Sequence, residues 1–133
     1  MRRMPVPDVP FLSTADLRRL AQAQPAQPCP DCAALRAPGW EALSATFDAR
    51  QLHKVGTLRR PEVEEPTLEE YHPGGTNAWS PDAPIAPAFF PYNRCDAWQC
   101  ARCGRAFLRY TEYGGYYVEE RVRPLQAALV VDP

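Results

Sequence analysis

Two Cys-x-x-Cys pairs, Cys29-Pro30-Asp31-Cys32 and Cys100-Ala101-Arg102-Cys103, stand at the two ends of a long segment, residues 33–99. No other feature constrains the fold as much. Two thiolates three positions apart in a tight turn bind one metal ion while backbone N–H groups inside the turn point at the sulfurs. Gly104, directly after the second pair, supplies the positive φ that such a turn favours. Together the two turns offer four sulfurs, enough for a closed tetrahedral site at ~2.3 Å from Zn²⁺. The spacing therefore assigns Cys29, Cys32, Cys100 and Cys103 as metal ligands, with Zn²⁺ the expected ion and iron the alternative.

The rest of the composition says why such a staple is needed. The chain has 133 residues, 45% hydrophobic and 23% charged, which fits one modest globular core rather than disorder. It also carries 16 prolines, well above the usual ~5%, and these limit regular structure. The formal net charge is −1, which argues against a protein held to nucleic acid mainly by phosphate neutralisation. No apolar run approaches the ~18 residues of a membrane helix, and the N-terminal Met1-Arg2-Arg3-Met4 is not followed by a secretion-type apolar stretch. A cytoplasmic protein without a membrane partner is expected, and there paired cysteines bind metals more often than they form disulfides.

Local patterns predict a single α+β domain over residues 1–133. Residues 1–28 hold an N-terminal helix and linker, 29–123 the metal-stapled core with a long insert at 33–99, and 124–133 a tail. Ser13 and Asp16 form a capping signature for a helix over 14–24, with Leu17 and Leu20 on its apolar edge and Pro25 closing it. Trp40, Leu43 and Phe47 recur at helical spacing and predict a short helix over 39–47, and Asp48 caps a further turn. Val55–Leu58 reads as extended, and Thr67-x-x-Glu70 as the start of a helical turn. Residues 73–93, rich in proline and ending in large aromatics, read as an ordered irregular strap. Phe107–Tyr113 and Tyr116–Arg123 form an antiparallel hairpin across a two-residue Gly114-Gly115 turn. That turn sets Arg109 opposite Glu120 and points Phe107, Val118 and Val122 inward. Leu125–Val131 is an apolar tail that packs back on the core.

The run Cys29-Pro30-x-Cys32, then Cys100-x-x-Cys103-Gly104-x-x-Phe107 leading into a hairpin, resembles the zinc-ribbon or rubredoxin-like knuckle. The resemblance covers residues 27–34 and 98–123, and it implies the same four ligands with the hairpin stacked beside the site. The strip Arg105–Tyr117 also resembles small bacterial proteins to which no activity attaches. Cys95 is the fifth cysteine. With Cys100 and Cys103 it matches a plant-type [2Fe–2S] spacing, but no cysteine follows Cys103 to complete that set. A small buried hydrophobe is the expected role, with a reactive thiol or substitute ligand as alternatives.

Catalytic patterns are missing. His53 and His72 lie in no ligand or base motif, and no phosphate loop, nucleophile elbow or dinucleotide fingerprint occurs. An enzyme is not expected. Residues 61–82 carry six acids and no base, which reads as a solvated face. Tyr110, Tyr113, Tyr116 and Tyr117 with the arginines from Arg94 to Arg123 suggest an alternative nucleic-acid surface. The expected function is a non-catalytic zinc-binding protein in an interaction or accessory role, with another protein as its partner. A nucleic-acid-binding ribbon and a rubredoxin-like iron electron carrier are the alternatives.

Overall fold

The computed structural model describes residues 9–23, 25, 27 and 29–133. Helix α1 spans Thr14–Gln22. The Ser13 hydroxyl accepts from the Asp16 N–H at 3.1 Å, and the Asp16 carboxylate accepts from the Ser13 N–H at 2.9 Å. Two helix-end donors are thereby satisfied reciprocally, with aspartate in the place glutamate usually takes. The helix stops at Gln22. The last position of the expected span, residue 24, lies outside the described residues, as does the N-terminal run 1–8. Leu17 and Ala21 are buried, and Arg18 Nη2 donates to the Val130 carbonyl, so the C-terminal tail packs against the helix as expected.

Five strands form one antiparallel sheet in the order β1-β5-β4-β3-β2: β1 Glu41–Ala42, β2 Leu52–Thr57, β3 Asp96–Cys100, β4 Ala106–Tyr113 and β5 Val118–Pro124. Strand alternation divides the core in two. Ala97, Leu108 and Tyr110 face a larger cluster containing Leu17, Trp40, Ile85, Tyr92 and Leu125. Leu52, Cys100, Phe107 and Val122 face a smaller one containing Cys32 and Leu35. Both faces of the sheet are thus covered. α1, the tail and the strap cover one, and the first cysteine turn covers part of the other.

The strap is pinned, as expected. Ala83, Ile85 and Ala86 are buried, and Ile85 pairs with the tail through the Leu129 carbonyl and the Val131 N–H. Arg123, 1% exposed, reaches across to the Tyr92 hydroxyl at 2.7 Å, the Gln126 side chain at 2.8 Å and the Pro81 carbonyl at 3.3 Å.

Four expectations need correction. Residues 39–47 are not helical: β1 occupies 41–42, where it pairs with Val122 and Arg121. Trp40 joins the larger cluster while Leu43 and Phe47 pack on the smaller one, so the helical spacing arose from side chains serving opposite faces of a sheet. The Thr67 turn is not helical either; its hydroxyl accepts from the Glu69 N–H in an extended stretch. The hairpin is only part of a sheet whose β3 and β1 the sequence did not reveal.

The hairpin register also differs. Tyr113 pairs with Val118, leaving residues 114–117 as the loop. A Cβ on Gly114 would sit 2.5 Å from the Tyr117 ring, so glycine lets that ring fold over the loop, and neither Gly114 nor Gly115 has the positive φ of the expected turn. The offset from the expected pairing is two residues, which keeps every side chain on its face. Phe107 and Val122 remain buried, but Val118 moves to the tip and is 65% exposed. Arg109 still bonds Glu120 at 2.9 Å, now on the diagonal. Val118→Ala should therefore shift unfolding free energy by less than ~0.5 kcal/mol. Leu108→Ala, in the larger cluster, should cost about 2–5 kcal/mol. Urea denaturation of both variants checks the assignment, and a large loss at Val118 would contradict it.

Candidate metal centre

The second cysteine pair sits at the turn between β3 and β4. Cys100 is the last residue of β3, and its N–H donates to the Arg105 carbonyl, continuing the ladder into the turn. The Gly104 N–H bonds the Cys100 carbonyl, and Gly104 has φ +80, the conformation foreseen from its place in the sequence. Sulfur also receives backbone donors: the Arg105 N–H points at Cys103 Sγ at 3.5 Å. The first pair lies in a turn closed by the Cys32 N–H on the Cys29 carbonyl.

The fold brings the two turns together. Sγ–Sγ separations are 3.7 Å for Cys29–Cys32, 3.5 Å for Cys29–Cys100 and 3.6 Å for Cys32–Cys103, and all four ligand atoms lie within 4.8 Å of one another. A disulfide requires ~2.05 Å, far shorter than any of these. A tetrahedron with metal–sulfur bonds of ~2.3 Å has edges of ~3.8 Å, close to what is observed. The donor set fits a thiophilic cation such as Zn²⁺ or Fe. Cys32 and Cys100 are buried while Cys29 and Cys103 are partly exposed, so the site lies at the edge of the smaller core.

Contacts between the turns support this arrangement. Arg105 Nη1 donates to the Leu35 carbonyl at 2.8 Å, tying the strand after the second pair to the chain after the first. Arg102 pairs with Asp31 at 3.4 Å across the mouth. Both side chains of that pair are solvated, so it adds little, of order 0–1 kcal/mol.

The sulfurs differ in their electrostatics. Partial burial works against a Cys29 thiolate, but the N–H groups of Cys32 and Asp31 and the thiols of Cys100 and Cys103 outweigh it and bring Cys29 down to about 7. Burial, then the bond with Cys103, pushes Cys32 up to about 12, and burial likewise raises Cys100. Without a cation, four neighbouring sulfurs do not all ionise. A divalent ion stabilises the thiolates, so its binding releases protons and acid opposes it.

Cys95 stands apart. It precedes β3 while Cys100 ends it, so the two lie about 16 Å apart at ~3.3 Å per strand residue. Its side chain packs in the larger cluster on the opposite face, donating to the Pro91 carbonyl at 3.3 Å. That geometry excludes the [2Fe–2S] set. Burial first, then the Asp96 carboxylate, holds the Cys95 thiol well above its usual range, as suits an inert buried hydrophobe. Neither histidine joins the cluster; His72 bonds Thr76 and Glu70.

No protein-family model, curated protein or solved structure matches the chain. Among the described residues, fold and site together define a small α+β chain with one α-helix, a five-stranded antiparallel sheet and a four-cysteine cluster able to hold a metal ion. No helix among the described residues is long and apolar enough to cross a membrane. Cys100→Ser should abolish metal retention and cooperative unfolding, whereas Cys95→Ala should leave metal content unchanged. Lowering the pH should release the ion as protons compete for sulfur. Metal analysis and thermal melts of the two variants, with an acid titration, check these outcomes.

Proposed function

We propose that this is a non-catalytic, cytoplasmic zinc protein in which Cys29, Cys32, Cys100 and Cys103 hold a structural Zn²⁺, and that it works with another protein in an interaction or accessory role. The observation that carries the metal reading is the set of sulfur separations, 3.5–3.7 Å between turns far apart in sequence. A site closed by four cysteines leaves no open position for substrate or water, which favours structure over catalysis. Binding free energies of structural zinc, roughly 10–16 kcal/mol, are as large as the whole stability of a domain. The ion would fasten the first turn to the sheet and so fix one wall of the smaller core.

A protein partner is favoured over nucleic acid by what the arginines already do. Arg102 pairs with Asp31, Arg109 with Glu120, and Arg121 with Glu119 and Glu112. Arg94 and Arg105 bond carbonyl oxygens, and Arg123 is buried. Little of the basic surface between Arg94 and Arg123 is left for phosphates.

Elemental analysis of protein purified without added metal should give about one zinc per chain and no colour. Stoichiometric iron with a red ferric thiolate spectrum would favour the rubredoxin-like alternative, and a metal-free, fully folded protein would refute the reading. Filter binding across salt should show no steep dependence; a slope of several units would favour the nucleic-acid alternative.

A further inference from the structure

The outer edges of the sheet are blunted. β1 is two residues long, and β2 changes register between Lys54 and Gly56. At its far end Thr57 is bonded to Pro10 and Leu12. Short, bulged and covered edges all discourage strand addition. Inside the sheet, one stretch of edge is open. β4 continues to Tyr113, but β3 pairs with it only as far as Arg109, opposite Asp96. Before Asp96 the chain turns through the 3-10 segment Tyr92–Arg94 and leaves that line.

The ladder fixes which groups are exposed there. The Cys100 N–H bonds the Arg105 carbonyl, so odd-numbered residues of β4 direct their backbone groups toward β3 and even-numbered ones toward β5. Thr111 and Tyr113 therefore turn N–H and C=O groups into a groove of about 580 Å³, with no backbone partner among the described residues. On one side of the groove stand Arg59, Arg109 and Trp98; on the other, Phe90, Tyr110 and Leu68, the last 71% exposed, with Arg94 lying over the Phe90 ring and donating to the Pro66 carbonyl. The first side is cationic: Lys54 and Arg59 share the single carboxylate of Asp96, while Arg109 has Glu120. Glu112, on the second side, is held by Arg121.

We propose that this notch binds an extended peptide as an added strand alongside Thr111–Tyr113. Main-chain bonds to those two residues hold it, and alternate side chains fall on the two sides of the groove. The surplus cation selects acidic side chains toward Arg59 and Arg109; the exposed Leu68 and the rings of Phe90 and Tyr110 select apolar ones. The partner is thus a protein offering an acidic–apolar alternating segment. This deepens the interaction role proposed above and does not depend on the metal.

The test uses the full chain as purified, without added metal, and a blocked hexapeptide alternating glutamate and valine. Hydrogen exchange of the Thr111 and Tyr113 amides should slow about tenfold or more on saturation. An analogue N-methylated at the bonding positions, and one with lysine for glutamate, should each bind about tenfold more weakly. Tyr113→Pro, which removes an N–H facing away from β5, should abolish binding. If that variant fails to fold, the N-methyl comparison on the native chain still decides. No protection at millimolar peptide, equal binding of the N-methylated analogue, or preference for an oligothymidylate would overturn the proposal. Metal content measured on the same sample separates the two readings: metal without peptide binding overturns this one alone, and peptide binding without metal overturns the other alone.

Discussion

Four sulfur atoms join the turn at Cys29–Cys32 to the end of β3, and the smaller apolar cluster is assembled around that junction. Cys32 and Cys100 belong to that cluster as buried side chains, with Leu35, Leu52, Phe107 and Val122 packed against them. A metal ion held there would close a loop of about 70 residues, whose entropic cost to an unlinked chain is several kcal/mol. Such a closure would relieve the intervening chain of forming many regular elements. Proline-rich residues between β2 and β3 contain no named strand and only a 3-10 turn, yet they are held by hydrogen bonds to the tail and to Arg123.

Arg123 shows how that irregular strap is organised. A guanidinium buried to 1% exposure would be costly if unpaired. Here its Nη groups donate to Tyr92, Gln126 and the Pro81 carbonyl, Nε has no partner among the described residues, and its face lies about 6 Å from the Trp40 and Tyr92 rings. One side chain from β5 thereby ties the strap, the tail and the larger core together. The six arginines of the C-terminal third look from the sequence like a basic surface, but in the fold most of them are internal ties.

How much was legible varied with the range of the interaction. The capping pair Ser13 and Asp16 acts within one turn, and it was readable because both partners lie three residues apart. Gly104 was readable for the same reason. Trp40, Leu43 and Phe47 misled, because spacing alone does not distinguish one helical face from two faces of a sheet. β3 escaped notice because Asp96–Cys100 mixes polar and apolar side chains and is buried from both sides, so no clean alternation marks it. The hairpin register failed for a local reason that spacing does not carry: the loop takes four residues rather than two, and the Tyr117 ring folds over Gly114.

By itself the sequence determined which four cysteines cluster, the N-terminus of α1, the two-residue periodicity of the hairpin and the burial of the tail, since each depends on chemistry or spacing carried by neighbouring residues. Tertiary structure alone decided that Cys95 stands on the opposite face from Cys100, that β1 completes the sheet beside β5, and that β4 outruns β3 to leave Thr111 and Tyr113 unpaired. Those outcomes depend on which distant segment reaches each face of the sheet first, and contact between segments dozens of residues apart leaves no local pattern to read.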